Sequence, residues 1–128
     1  MRYLLDTHSF LWFIGGHPHL STAARELIEE PTNLPLLSVA SLWEIAIKLS
    51  LGKLSLAQPF MELIPRQLEM NGIELLPIDI DHLAIVAELP FHHRDPFDRL
   101  LIAQAIIEQI PIVGADSIFD AYSIKRLW

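Results

Sequence analysis

Short apolar runs alternate with helix-patterned stretches along this chain, and at four places an acid stands just beyond a run or near the start of a helix. Asp6 follows Arg2-Tyr3-Leu4-Leu5, and Glu44 comes soon after Leu36-Leu37-Ser38. Asp98 lies in Asp95-Pro96-Phe97-Asp98-Arg99, and Asp116 follows Ile112-Val113-Gly114-Ala115. Repeated strand-then-helix order implies a mostly parallel sheet with helices on both faces. In such a sheet these positions converge on the crevice at the carboxyl ends of the strands, where ligands bind. Carboxylates gathered there repel one another unless a cation lies between them. The pattern therefore predicts an α/β fold and a divalent-metal site together.

The periodicity places strands at Arg2–Leu5 and Leu34–Ser38, with later ones at residues 73–78, 111–114 and 124–127. The third carries a proline, which predicts an edge position. Helices are expected at Thr7–Ile14 and at residues 22–30 after the cap Ser21. Leu42, Ile45, Ala46 and Leu49 recur at i, i+3, i+4, i+7 and mark the apolar face of another. Pro59 opens the next, in which Pro65 should introduce a kink. Residues 81–89 and a short stretch at 117–122 are also helical. The clearest helix start is Asp95 as cap with Pro96 at the first helical position, followed by a buried face over residues 100–107.

Each acid has a purely structural rival role. Asp6 and Asp116 could be helix caps, and Asp95 with Asp98 could serve only the first turn of their helix. Ser41 and Glu44 have the spacing of a capping box, although Ser38 also stands where the cap should fall. With Ser38 as cap, Glu44 lies inside the helix and is free to project into the crevice, with Lys48 four residues on to pair with it. With Asp95 as cap, Asp98 is the freer ligand. Capping does not require all four residues to be acidic, and that favours the metal reading. The six histidines include no pair at i, i+4, so they are not expected to form a metal set. Trp12, Trp43 and Trp128 read as packing or interface residues.

Composition sets the outer bounds. The 128 residues suit one domain with a full core, and 52% hydrophobic residues argue against disorder and for a covering partner or second copy. No apolar stretch reaches the roughly 18 residues a membrane span needs, so a soluble, cytoplasmic protein is expected. Absence of cysteine excludes thiol nucleophiles and thiolate metal sites. The net charge of -7 disfavours tight sequence-independent DNA binding but is compatible with RNA cleavage and with a basic partner.

Four blocks, in order, carry a resemblance that covers almost the whole chain. They are Leu5-Asp6-Thr7-His8-Ser9-Phe10-Leu11-Trp12, then Ser38-Val39-Ala40-Ser41-Leu42-Trp43-Glu44-Ile45-Ala46-Ile47-Lys48 with Gly52-Lys53-Leu54. The others are His93-Arg94-Asp95-Pro96-Phe97-Asp98-Arg99-Leu100-Leu101-Ile102-Ala103-Gln104-Ala105 and Ala115-Asp116-Ser117-Ile118-Phe119-Asp120-Ala121-Tyr122. Together they resemble the PIN-domain ribonucleases, and more narrowly the VapC-type toxins of bacterial type II toxin–antitoxin pairs.

The resemblance implies a single PIN domain over residues 1–128. Its expected fold is a three-layer α/β/α sandwich around a mostly parallel sheet of four to five strands. The implied activity is that of a Mg²⁺- or Mn²⁺-dependent endoribonuclease that hydrolyses RNA phosphodiesters. Asp6, Glu44, Asp98 and Asp116 would form its acidic catalytic and metal cluster, with Asp6 and Asp98 as direct ligands. Hard divalent cations suit such oxygen donors. Thr7, Arg94 and Arg99 are the substrate-binding candidates, the two arginines flanking the acidic helix start. Implied partners are a cognate antitoxin protein, the RNA substrate, and a second copy in a homodimer or a larger toxin–antitoxin assembly. One departure concerns Gly114, since the family often has a hydroxyl two positions before the last acid.

Two other classes compete. A phosphoryl-transfer domain of receiver or phosphatase type needs a second acid beside the first, whereas Thr7-His8-Ser9 follow Asp6. A non-catalytic binding module could keep the fold, although four intact acids argue against it.

Overall fold

Leu4 and Leu5 point to opposite faces of one strand, and that alternation divides the interior into two cores. The computed structural model describes residues 1–128. Its strands are β1 Arg2–Leu5, β2 Leu34–Ser38, β3 Glu74–Leu76, β4 Ile112–Val113 and β5 Arg126–Leu127. They form one sheet in the order β3-β2-β1-β4-β5, with every neighbouring pair parallel. Leu4 lies level with Leu36 and Ile112, and Leu5 with Leu37 and Val113. The first row joins one buried cluster and the second row the other.

Helices cover both faces. Phe10 of α1 (Thr7–Ile14), Ala24 and Ile28 of α2 (Thr22–Glu29), Ile45 of α3 (Val39–Ser50) and Ile64 of α4 (Phe60–Met70) pack on the Leu5 row. Against the Leu4 row lie Leu101 and Ile102 of α6 (Pro96–Glu108), Ile85 of α5 (Ile80–Glu88), and Phe119 of a 3-10 helix at Ser117–Ala121. The expected three-layer α/β/α architecture is thus present, with a sheet that is wholly parallel. The chain moves outward from β1 through β2 to β3, then returns past β1 to β4. Right-handed crossovers put the helices of these two journeys on opposite faces. The reversal falls between β1 and β4, and their carboxyl ends border the crevice.

Several local expectations shift for physical reasons. The third strand is shorter than residues 73–78 because it stops at Leu76, directly before Pro77, and it does lie at the sheet edge. The expected helix over 81–89 begins one residue earlier, capped by Asp79 with His82 closing a reciprocal box. The α-helix expected over 117–122 is instead a 3-10 helix at Ser117–Ala121. Pro65 lies inside α4 without ending it. The carbonyl that loses its donor belongs to Met61, which is exposed, so water can take the donor's place.

The largest revision concerns α3. Ala46, expected on its apolar face, is exposed, whereas Ser41 and Glu44 are buried beside Ile45. The inward face therefore combines packing with a polar stripe. Ser38 is the cap, its hydroxyl accepting the Ala40 N–H at 3.0 Å, and this removes the capping-box account of Glu44.

Candidate metal centre

Asp6 leaves β1 at the sheet reversal and performs two tasks. Its backbone N–H donates to the Val113 carbonyl at 3.0 Å, tying it to β4. Its Oδ1 accepts the Ser9 N–H at 2.7 Å and caps α1. Oδ2 lies against Gly114: a Cβ at that position would stand 2.8 Å from it and 3.1 Å from the Phe119 ring. Gly114 therefore makes room for the carboxylate of Asp6, a reason for glycine where a hydroxyl residue is common in the family. Asp6 is only 5% exposed. Burial first, and then the charge of Glu44, push its carboxyl above the usual range, against the lowering effect of Ser9 and His8.

Glu44 enters from the second turn of α3 and is 6% exposed. Its Oε2 pairs with Lys48 Nζ at 2.9 Å, while Oε1 is buried without a hydrogen-bond partner. Native proteins rarely leave such an atom unsatisfied, because the lost hydration costs about 1–3 kcal/mol or more for a charged group. An added cation would answer that deficit.

Asp98 lies in the first turn of α6. Its N–H donates to Asp95 Oδ1 at 2.9 Å, so Asp95 is the cap, as expected, and the Asp98 carboxylate takes no part in it. Burial pushes the Asp98 carboxyl up to about 6, with Asp95 and Asp6 adding to the rise and His93 opposing it. Asp116, exposed three residues beyond β4, caps the 3-10 helix, its Oδ1 accepting the Ile118 N–H at 3.0 Å. The ligand atoms of His93, Asp98 and Asp116 all lie within 4.8 Å of one another.

His93 is the residue that the sequence spacing did not identify. It is five positions before Asp98, across a loop and a helix cap, and no periodic pattern marks that approach. Two substrate candidates are revised in the other direction. Arg99 is 5% exposed and faces away from solvent. Its Nη1 donates to the carbonyls of Pro90 and His93, and its Nη2 to those of Val86 and Leu89, at 3.0–3.3 Å. It locks the α5–α6 connection and has no terminal N–H left for a phosphate. Thr7 is likewise buried, its hydroxyl donating to Ser41 Oγ at 2.9 Å, which bolts α1 to α3. Arg94 remains exposed.

A parallel sheet that gathers acids at its reversal point, between layers of helices, has the architecture of a PIN domain. The chain belongs to the PIN domain family, which it matches over residues 3–125. It is 38% identical over 72 residues to Ribonuclease VapC16 of Mycobacterium tuberculosis, a match covering 53% of this chain and 51% of that relative. The match thus spans about half the length of that curated relative. Among solved structures, a chain of VapBC2 from Rickettsia felis, bound to a DNA fragment from their promoter, superposes with a TM-score of 0.71. Identity is 19%, with 99% of this chain and 98% of that chain covered. A chain of a toxin–antitoxin complex from Klebsiella pneumoniae gives 0.66 at 12% identity, covering 98% and 96%. These likenesses carry the fold, and family membership displaces the receiver and phosphatase readings. No helix is long and apolar enough to cross a membrane.

Proposed function

We propose that this chain is a divalent-metal-dependent endoribonuclease and the toxin of a toxin–antitoxin pair. The observation that carries the reading is a partnerless buried oxygen on Glu44 close enough to the buried Asp6 carboxyl, at the sheet reversal, for the two acids to repel each other. Oxygen-only donors of this kind fit Mg²⁺ or Mn²⁺ better than softer metals. The name of the M. tuberculosis relative supports ribonuclease chemistry, and the K. pneumoniae complex supports the toxin–antitoxin setting.

Asp6 and Asp98 would hold the cation, and Glu44 would offer Oε1 from the buried side. A bound Mg²⁺ or Mn²⁺ supplies positive charge for the phosphate and makes an attacking water more acidic. The protein's part is orientation. Capping fixes Asp6 through Oδ1 and leaves Oδ2 available, while the Lys48 pair turns Glu44 Oε1 inward. Asp116, exposed at the mouth, would accept a proton from water that attacks the phosphodiester. Arg94 is the exposed cation near the α6 start and can meet an RNA phosphate. The net charge of -7 favours an antitoxin with a basic segment, whose arginine could pair with the same carboxylates.

The test is digestion of a total-RNA pool by purified protein with and without Mg²⁺, with the new ends sequenced. Discrete cuts that require the cation and disappear in Asp6→Asn are expected. Equal cleavage in chelator, or by Asp6→Asn, would overturn the metal reading, and no cleavage under any divalent ion would overturn the nuclease reading.

A further inference from the structure

His93 is held from several directions at once. Its Nδ1 accepts the N–H of Arg94 at 3.1 Å, and its Nε2 lies 2.8 Å from Asp98 Oδ2. Its backbone N–H donates to the Tyr122 hydroxyl at 2.8 Å, and that hydroxyl donates to the Pro90 carbonyl at 2.7 Å. Its carbonyl accepts from Arg99 Nη1 at 3.3 Å. The ring meets Phe119 edge-to-face, with centroids 6.4 Å apart. An imidazole nitrogen that accepts an N–H carries no proton, so the single proton of the neutral ring resides on Nε2. The short contact with Asp98 is then a bond donated by His93. In this tautomer Nε2 has no lone pair to give a cation, although its distance from Asp98 and Asp116 would suit a ligand.

We propose that His93 is a positioning residue outside the metal's coordination: its Nε2–H holds Asp98 Oδ2 and thereby presents Asp98 Oδ1 to the cation. This rests on the divalent-metal reading above and adds to it how the outer carboxylate is aimed. A freely rotating aspartate would have to lose rotamer freedom on binding the ion. Here the Arg99 and Tyr122 bonds fix the loop, the Arg94 N–H fixes the ring's tautomer, and the ring fixes the acid. Removing a partner of this kind typically weakens metal affinity about 10–100-fold.

Two measurements test it. Long-range ¹H–¹⁵N correlations of the imidazoles in metal-free protein should show His93 protonated on Nε2 and bare on Nδ1. Mn²⁺ titration calorimetry on the wild type, His93→Ala and His93→Gln, each checked by its melting temperature, should show about tenfold or greater weakening in the alanine variant and recovery to within about threefold in the glutamine variant, whose amide keeps an N–H donor. A proton on Nδ1 would overturn the proposal, and so would alanine binding as tightly as wild type. Glutamine as weak as alanine would make the ring itself the ligand and also overturn it. If His93→Ala fails to fold, the glutamine variant and the spectrum still decide the matter. Should the wild type bind no Mn²⁺, the metal reading falls and takes the coordination half with it, while the spectrum decides the His93–Asp98 bond separately.

Discussion

The two halves of the acidic centre are held in opposite ways. Asp6 and Glu44 are buried, reached through the cap of α1 and the inward stripe of α3, and their charges have little solvent to relieve them. Asp98 and Asp116 stand nearer the mouth, one clasped by His93 and the other capping a short turn in the open. Burial makes a carboxylate a stronger partner for a cation, because the alternative is a poorly hydrated charge. Exposure leaves room for water and a phosphate. On the metal reading proposed above, the inner pair would hold the ion from the buried side, while the outer pair would link it to substrate, Asp98 as the remaining ligand and Asp116 facing water.

The sharpest test of that division is Asp6→Asn against Asp116→Asn. Asparagine caps as well as aspartate, so both should fold. Several kcal/mol of charge stabilisation correspond to a loss of about a thousandfold or more in cleavage for Asp6→Asn. A tenfold smaller loss for Asp116→Asn would sharpen the comparison, and equal losses in cleavage assays would erase it. Gly114→Ala probes the inner half without touching a carboxylate. The added Cβ meets Asp6 Oδ2 at 2.8 Å, so the acid must turn. Cleavage should fall about 10–100-fold, with about 1–3 kcal/mol lost in denaturant titration from overpacking. Wild-type behaviour there would mean that Oδ2 has no fixed task.

Arg99→Ala should act on stability. It strips partners from four carbonyls, which predicts a loss of about 3 kcal/mol, or roughly 10 °C in melting temperature. A loss of only RNA affinity, with melting unchanged, would return Arg99 to the substrate set.

The pH response should be smaller. The folded Asp98 carboxyl, pushed up to about 6 from an ordinary 3.8, holds its proton more tightly than the unfolded one. The folded state therefore binds more protons between those values, and metal-free stability falls as pH rises from about 4 to about 6. The contribution is fully present below that window and absent above it. Thermal melts in chelator should be higher at pH 5 than at pH 7, with Mg²⁺ restoring stability at pH 7. A melt that ignores Mg²⁺ at pH 7 would speak against ion binding at these acids. Smallest of all, Asp95→Asn should keep its activity within about threefold because only the cap is involved. A dead Asp95→Asn in the same cleavage assay would show that cap and ligand are not separate.

Much of this was readable from the residues because strand and helix periods are local. The apolar runs, Ser38 beside α3 and Asp95-Pro96 at α6 fixed where the elements begin, and parallel order brought Asp98 and Asp116 together, though with His93 rather than with Asp6 and Glu44 as their nearest metal-capable neighbour. What escaped depended on side-chain direction. Arg99 is charged and follows an acid, yet its guanidinium turns into a loop whose carbonyls no sequence pattern displays. Ala46 fits the apolar period but is exposed, because the site requires Glu44 to face inward. His93 reaches Asp98 only through the fold of residues 90–95.

The double employment of Asp6 has an evolutionary consequence. One oxygen starts a helix and the other faces the centre, and aspartate and asparagine codons differ by a single base. One nucleotide change could therefore disarm the chain while leaving its helix start intact. Such a copy would still be recognised by any molecule that reads the surface, and so would compete with the active form for a shared partner. For the toxin proposed above, harmless but well-folded descendants are a short mutational step away.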